Sequence, residues 1–257
     1  MRAQSDKLDY HKLLSGEIPP WVMRFLKTTG KAVSEYGMFG DGDDVLVAVS
    51  GGKDSLALAL ALSLRQRWLP IHYRLHGLLI DWQEHPVGEE HKALLRSFFE
   101  DLGIDLSIVT EVQHHEGFKG EFNCYLCARN RRRILFQFLD SHGWHLVAEG
   151  HHLDDLVETT MMNLFFRGRF ETMSPVQDFF DGKLKVVRPM IEVHEKVTRR
   201  LADTYNIPCI KAVCPFDQTN IRSELKPVLG ELTRMDRLVR EHVYAAHGLP
   251  RQGRRRP

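Results

Sequence analysis

The sequence predicts an α/β fold: a parallel twisted sheet with helices on both faces and helical additions at the N- and C-terminal ends. Three observations carry that prediction. Short apolar runs alternate with amphipathic segments through the middle of the chain, the pattern of repeated β-α-β units. Gly103, Gly143 and the Asn206-Ile207-Pro208 step punctuate the ends of helical segments. Finally "SGGKDS", "LLIDW" and "EGHHLDD" all follow or close apolar runs. In such sheets ligands bind outside the C-terminal strand ends where strand order reverses, so the three segments converge on one crevice.

Taken in order, the strands are expected over residues 45–49, 76–80, 104–110, 145–149 and 185–188. Helices are expected over 56–66, 89–102, 127–142, 154–166 and 196–205, joined to the strands by right-handed crossovers. A further helix follows Pro19-Pro20, and two more cover 223–235 and 237–247. The expected organisation is a helical extension over 1–40, the sheet domain over 41–205, and a helical region with a basic tail over 206–257. The chain shows no internal repeat.

The 257 residues are 43% hydrophobic and 27% charged, enough for one sizeable core. No apolar run has the length of a bilayer span and "MRAQSDKLDYHKLL" lacks a signal-peptide pattern, so the protein reads as cytoplasmic, with no membrane partner. Four cysteines in such a chain point to metal binding or chemistry rather than a disulfide framework. The net charge of +1 conceals basic clusters at 128–133 and 251–257. These suit RNA, although a solvated helix face and a disordered tail have the same composition.

The stretch "AVSGGKDSLAL" places an anion seat between a strand and a helix. Gly51 and Gly52 let backbone N–H groups approach a phosphate, and the helix start near Asp54 adds its positive end. The longer G-x-x-x-x-G-K-[ST] loop of ordinary nucleotide triphosphatases is absent. "SGGKDS" matches the pyrophosphate loop of the N-type ATP pyrophosphatases (the PP-loop superfamily), and the chain resembles them in its strand-loop-helix context as well. That resemblance implies a Rossmann-like adenine nucleotide alpha hydrolase fold and cleavage of ATP between its α- and β-phosphates.

On the resemblance, Ser50, Gly51, Gly52 and Ser55 cradle the pyrophosphate and Lys53 neutralises it as the bond breaks. Asp54 is the expected Mg²⁺ ligand and a catalytic group. A helix N-terminal carboxylate favoured by the macrodipole is the compatible alternative. Leu79 and Ile80 lie against adenine, and Gly150, His151 and His152 line the α-phosphate side. Asp154 and Asp155 take a catalytic or Mg²⁺-assisting role, or serve as helix caps.

The cysteines separate the branches of the superfamily. Cys124 and Cys127 form C-x-x-C before the basic helix "ARNRRRILF", with Cys209 and Cys214 downstream. By itself this spacing fits a zinc site, a redox dithiol or an iron–sulfur site. The pattern C-x-x-C-A-R-x-x-R, with "GHHLDD", "VVRP" and "CPFDQTNIR", resembles the tRNA 2-thiocytidine synthetases over most of the chain. That resemblance implies a [4Fe–4S] cluster on Cys124, Cys127 and Cys214 with one iron free of protein ligands, able to present sulfide to an AMP-activated carbon. Cys209, five residues before Cys214, departs from the close downstream pair of that family and is expected as a buried small residue beside Pro208.

Arg129, Arg131, Arg132 and Arg133 are expected near the cluster mouth, holding tRNA phosphates, with Arg222 extending the track. The implied substrate is cytidine 32 in the anticodon loop, with sulfur from a donor such as a cysteine desulfurase; the helical flanks leave room for a homodimer. Two other readings compete. One is a PP-loop adenylating enzyme acting on another tRNA base or a small molecule. The other is a zinc-stabilised RNA-binding protein, which has no use for an intact loop and the acidic pair.

Overall fold

The computed structural model describes residues 7–69, 71–113, 123–210 and 221–249. Cys214 and the arginine tail over 251–257 lie outside the described residues. Short α1 (His11–Leu14) and α2 (Pro20–Glu35) precede the sheet, and Pro20 sits at the first position of α2, where a missing N–H costs nothing. The sheet and its crossovers follow as β1 (Asp44–Val49), α3 (Lys53–Gln66), β2 (Arg74–Trp82), α4 (Glu89–Asp101) and β3 (Asp105–Glu111). Next come α5 (Cys124–Ser141), β4 (Leu146–Ala148), α6 (Leu153–Arg167), β5 (Val176–Phe179) and β6 (Leu184–Val187). The chain then forms α7 (Glu195–Thr204), α8 (Ile221–Met235) and α9 (Val239–Ala246).

The strand order is β3-β2-β1-β4-β6-β5. Pairings β3/β2, β2/β1, β1/β4 and β4/β6 are parallel, as expected, with Val49 opposite Leu79 and Val47 opposite Ala148. The edge departs from expectation. β5 turns back antiparallel on β6 in a hairpin, with Phe179 opposite Leu184, so the sheet is mixed. The order reverses between β1 and β4, which places the switch-point crevice outside Val49 and Ala148.

Helix α3 is apolar all round, and every residue from Ser55 to Leu64 is buried. It therefore runs as an interior rod, between the sheet and a layer formed by α2 and α7. Each of its leucines contributes roughly 1.5–3 kcal/mol by leaving water. Val45, Val47, Leu79 and Leu146 face this side, whereas Leu46, Leu78, Val147 and Val186 face α5 through Leu135, Phe136 and Leu139. Alternation along β1 thus covers both faces of the sheet. The N-terminal α2 is part of the main core, with Val22, Phe25, Leu26 and Val33 buried and the Arg65 guanidinium donating to the Leu26 carbonyl at 2.8 Å. No helix among the described residues is long and apolar enough to cross a membrane.

Candidate active site

The chain leaves β1 through Ser50 and enters α3 at Lys53, so the α3 N-terminus opens on the crevice. Gly51 turns with φ +76°, a conformation that L side chains avoid, and its carbonyl accepts a 2.8 Å bond from the Ile210 N–H. Ser55 organises the turn: its hydroxyl accepts from the Ser50 N–H at 3.2 Å and donates to the Gly52 carbonyl at 3.0 Å. Gly150, after β4, packs directly on the start of α3. A Cβ there would meet the Asp54 carbonyl carbon and the Ser55 nitrogen at 3.0 Å.

Two charged side chains of the loop are held by α7, a helix that carried no motif. Lys53 Nζ lies 2.8 Å from Asp54 and 3.0 Å from Glu195 Oε1. Thr198 donates to the other Asp54 oxygen at 2.6 Å, and His152 Nε2 stands 3.8 Å from it. Burial alone would lower the Lys53 pKa, but hydrogen bonding to Asp54 and then Glu195 outweighs it and raises the value. Burial would likewise raise Glu195, yet Lys53 and Arg199 bring its carboxyl down to about 2.

The acidic pair divides between two tasks. His152 and Asp155 close a reciprocal cap at the start of α6: the Asp155 N–H donates to His152 Nδ1 at 3.3 Å and the His152 N–H to Asp155 at 3.0 Å. His152 Nδ1 also lies 3.2 Å from the Asp155 carboxylate, so the ring sits between Asp155 and Asp54. Asp155 remains on the crevice wall, 3.7 Å from Arg222. Asp154 points elsewhere: it is buried, accepts the Glu195 N–H at 2.7 Å and pairs with Arg240 of α9. It caps α7 and ties α6 to α9.

The crevice encloses about 680 Å³ and is lined by Ser50, Asp54, Ser55, Leu79, Ile80, Gly150, His151 and Asp155 among the anticipated residues. The ladder from β1 to β2 ends at Leu79, so the β1-facing edge of Ile80 fronts the crevice. Cys127, Arg131 and Arg222 lie on the same wall. Cys124 and Cys127 occupy the first turn of α5, which Asn123 caps by accepting the Leu126 N–H at 3.1 Å. Cys209 also lines the crevice and is exposed, not buried, because the Ile210–Gly51 bond holds it at the rim. Among the described residues no three His, Cys, Asp or Glu side chains are placed to hold a metal ion; the anticipated cluster ligands include Cys214, outside them.

Several residues given no individual role above belong to the site. Trp82, Pro86 and Val87 form the outer wall, held because buried Asp81 accepts the Val87 N–H at 2.7 Å and pairs with Lys92 at 2.6 Å. The sequence signal for this wall was Asp81 within the apolar end of the strand, in "LLIDW". Glu149 at the end of β4 pairs with buried Arg188 at 2.9 Å and with His151 at 3.1 Å. Burial would raise Glu149, but His151, Arg188 and Arg132 bring it to about 2. Arg188 falls within "VVRP", noted above only as part of a resemblance.

The arginines of α5 fan out. Arg131 faces the crevice, whereas Arg129, Arg132 and Arg133 line a separate groove against the β5–β6 hairpin. Residues three and four apart share a helix face, so 129, 132 and 133 cannot point with 131. Of the four arginines expected together, Arg131 alone lines the crevice, where Arg222 from α8 joins it.

A two-glycine turn between a central strand and a buried helix, closed by Gly150 across the switch point, is the arrangement of a PP-loop nucleotide-binding domain, and a family model described as a PP-loop domain matches residues 25–229. The tRNA-cytidine(32) 2-sulfurtransferase of Marinobacter nauticus is 32% identical over 221 residues, covering 84% of this chain and 72% of that protein. The protein of the same name from Delftia acidovorans is 35% identical over 215 residues, covering 82% of this chain and 67% of that protein. The chain belongs to the tRNA-cytidine(32) 2-sulfurtransferase family of PP-loop proteins. In fold it is similar to the U34-tRNA thiolase NcsA from Methanococcus maripaludis with its [4Fe-4S] cluster. That match has a TM-score of 0.71 at 21% identity and covers 89% of this chain and 78% of that one.

Proposed function

We propose that the protein is an ATP-dependent sulfurtransferase that adenylates cytidine 32 of tRNA and replaces its 2-oxygen with sulfur, giving 2-thiocytidine. The observation that carries this reading is that Ser50, Asp54, Asp155, Cys127 and Arg131 all line one crevice. The kinship reported above supplies the substrate.

In this reading ATP lies with its base along the free edge of Ile80, beside Leu79, and its β- and γ-phosphates over Ser50, Gly51, Gly52 and Ser55. The base oxygen attacks the α-phosphorus and pyrophosphate departs toward the α3 N-terminus. Lys53 is available to it by exchanging Glu195 for phosphate oxygens, so its charge follows the leaving group. Asp54 presents one hard oxygen ligand, and phosphate oxygens and water complete the coordination that Mg²⁺ prefers. His151 and Asp155 border the α-phosphate side. Asp154 acts as a positioning residue by fixing the α7 N-terminus, from which Glu195 and Thr198 reach the loop.

The donor chemistry fits an iron–sulfur cluster better than a hard cation: Cys127, half-buried on the crevice wall, stands one helical turn from Cys124. With Cys214 these thiolates would hold a [4Fe–4S] group, which supplies an iron position open to a sulfur ligand. Arg131, one turn beyond Cys127, then faces the RNA at that mouth. A persulfide-forming donor of the cysteine desulfurase kind supplies the sulfur atom, and a thiol reductant splits the persulfide so that the sulfur arrives as sulfide.

The test is nucleoside mass spectrometry of tRNA after incubation with anaerobically purified protein, ATP, Mg²⁺ and a sulfide source. Appearance of 2-thiocytidine at position 32, lost in Lys53→Ala and Cys127→Ala, is expected. Sulfur at another base, or ATP cleavage without thiolated RNA, overturns the reading. Iron, labile sulfide and zinc per chain are measured on the same preparations. About four irons lost in Cys214→Ala and kept in Cys209→Ala supports the cluster, whereas stoichiometric zinc needing all four cysteines removes it.

A further inference from the structure

On the far side of α5 from the crevice, a second groove of about 770 Å³ opens between that helix and the β5–β6 hairpin. Its wall carries Arg129, Arg132, Arg133 and Lys183 against a single acid, Asp140. Its floor is aromatic: Phe136 and Phe179 pack with ring centroids 5.0 Å apart, and the Arg132 guanidinium lies 5.3 Å from the Phe179 ring centroid.

Phe180 at the hairpin tip is the telling residue. It is 63% exposed, so burial does not explain it. Its φ of +52° lies in the left-handed region, where a bulky residue is strained. Asp181 follows at +57°, and the Lys183 N–H donates to the Phe180 carbonyl at 3.2 Å. The turn therefore holds an aromatic face out to solvent, edge-on to Phe136 at 5.9 Å, at a backbone cost that a glycine or asparagine would avoid.

We propose that this groove is a nucleotide-stacking platform for the RNA substrate, with Phe180 as the stacking face and Arg129, Arg132 and Lys183 as phosphate contacts. The proposal rests on the tRNA reading above and extends it to a surface outside the crevice. Exposed aromatic rings flanked by guanidinium and ammonium groups are what single-stranded RNA requires, because every base has a π-face and every linkage an anion. Helix α5 separates platform and crevice by one helix diameter, about 10 Å. With Arg131 on one flank and Arg132 on the other, the helix forms a basic ridge over which a strand can lay its target base on one side and a neighbour on the other.

The experiment measures the affinity of a labelled anticodon stem-loop RNA for the full-length protein, its Phe180→Ala and Phe180→Trp variants, and Lys183→Glu. Phe180→Ala should weaken binding about tenfold and Phe180→Trp should retain it. Lys183→Glu should weaken binding and reduce the salt slope by about one. ATP affinity in the same proteins should not change. Tight RNA binding by the wild type that Phe180→Ala and Lys183→Glu both leave intact overturns the platform alone and leaves the face to a protein partner. Absence of RNA binding by the wild type overturns both the platform and the tRNA reading.

Discussion

The ammonium of Lys53 lies 3.0 Å from a carboxylate oxygen of Glu195, so the first residue of α7 reaches the first residue of α3. The two helices are thus pinned together beside the glycine turn by a carboxylate–ammonium contact. Glu195→Gln should leave Lys53 attached to Asp54 alone. The expected result is a KM for ATP raised several-fold with a smaller change in kcat, read from pyrophosphate release.

The same pair predicts a pH dependence. The Glu195 carboxyl is brought from 4.5 to about 2, so its contribution to stability is present above the ordinary value and lost as pH falls through the folded one. Thermal melts of wild type and Glu195→Gln should differ at pH 7 by about 2 kcal/mol, the scale of a charged hydrogen bond. The two curves should converge between pH 4.5 and 2.

Glu158, buried on α6, behaves in the opposite sense. Burial raises its carboxyl to about 7, against the lowering effects of Lys226 and Arg222. The folded value lies above the ordinary 4.5, so its stabilising contribution is present at acid pH and lost as pH rises through about 7. Glu158→Gln should therefore gain on the wild type between pH 5 and 8 in melting experiments, by at most about 3 kcal/mol.

Neighbouring carboxylates should give different phenotypes. Asp154→Asn removes a cap of α7 and a partner of Arg240 and should lower the melting temperature, with a secondary effect on turnover. Asp155→Asn should lower turnover by about a hundredfold or more, the scale of a lost acid–base or metal-assisting group. Loss of turnover in Asp154→Asn at unchanged stability would reverse the assignment.

Breaking the Glu149–Arg188 pair, held at 2.9 Å with Arg188 buried, should destabilise the chain by about 3–5 kcal/mol in either single variant. Replacing both by leucine should lose much less, because no unpaired charge remains. Chemical denaturation of the four proteins forms the cycle.

Much of this was legible in the residues. The apolar run before Ser50 and the leucine–alanine run after it gave β1 and α3, and the glycine pair between them located the anion seat. β5 was not legible, because Val176–Phe179 is short and half-exposed and its turn is built on Phe180 and Asp181, where turn chemistry favours glycine or asparagine. The division between Asp154 and Asp155 depends on Arg240 and on the α7 start, both remote in sequence. Glu195 and Thr198 carry no local pattern, since their role exists only once α7 packs on α3. The fan of arginines on α5, in contrast, follows from helical periodicity.

Gly150 sets the bore of the site. A methyl group there would press on the backbone of Asp54 and Ser55 at 3.0 Å, so the residue after β4 sets how closely that half of the sheet approaches the start of α3. Gly150→Ala would act as a wedge, pushing the start of α3 away from β4 by a few tenths of an ångström without changing any polar group of the turn.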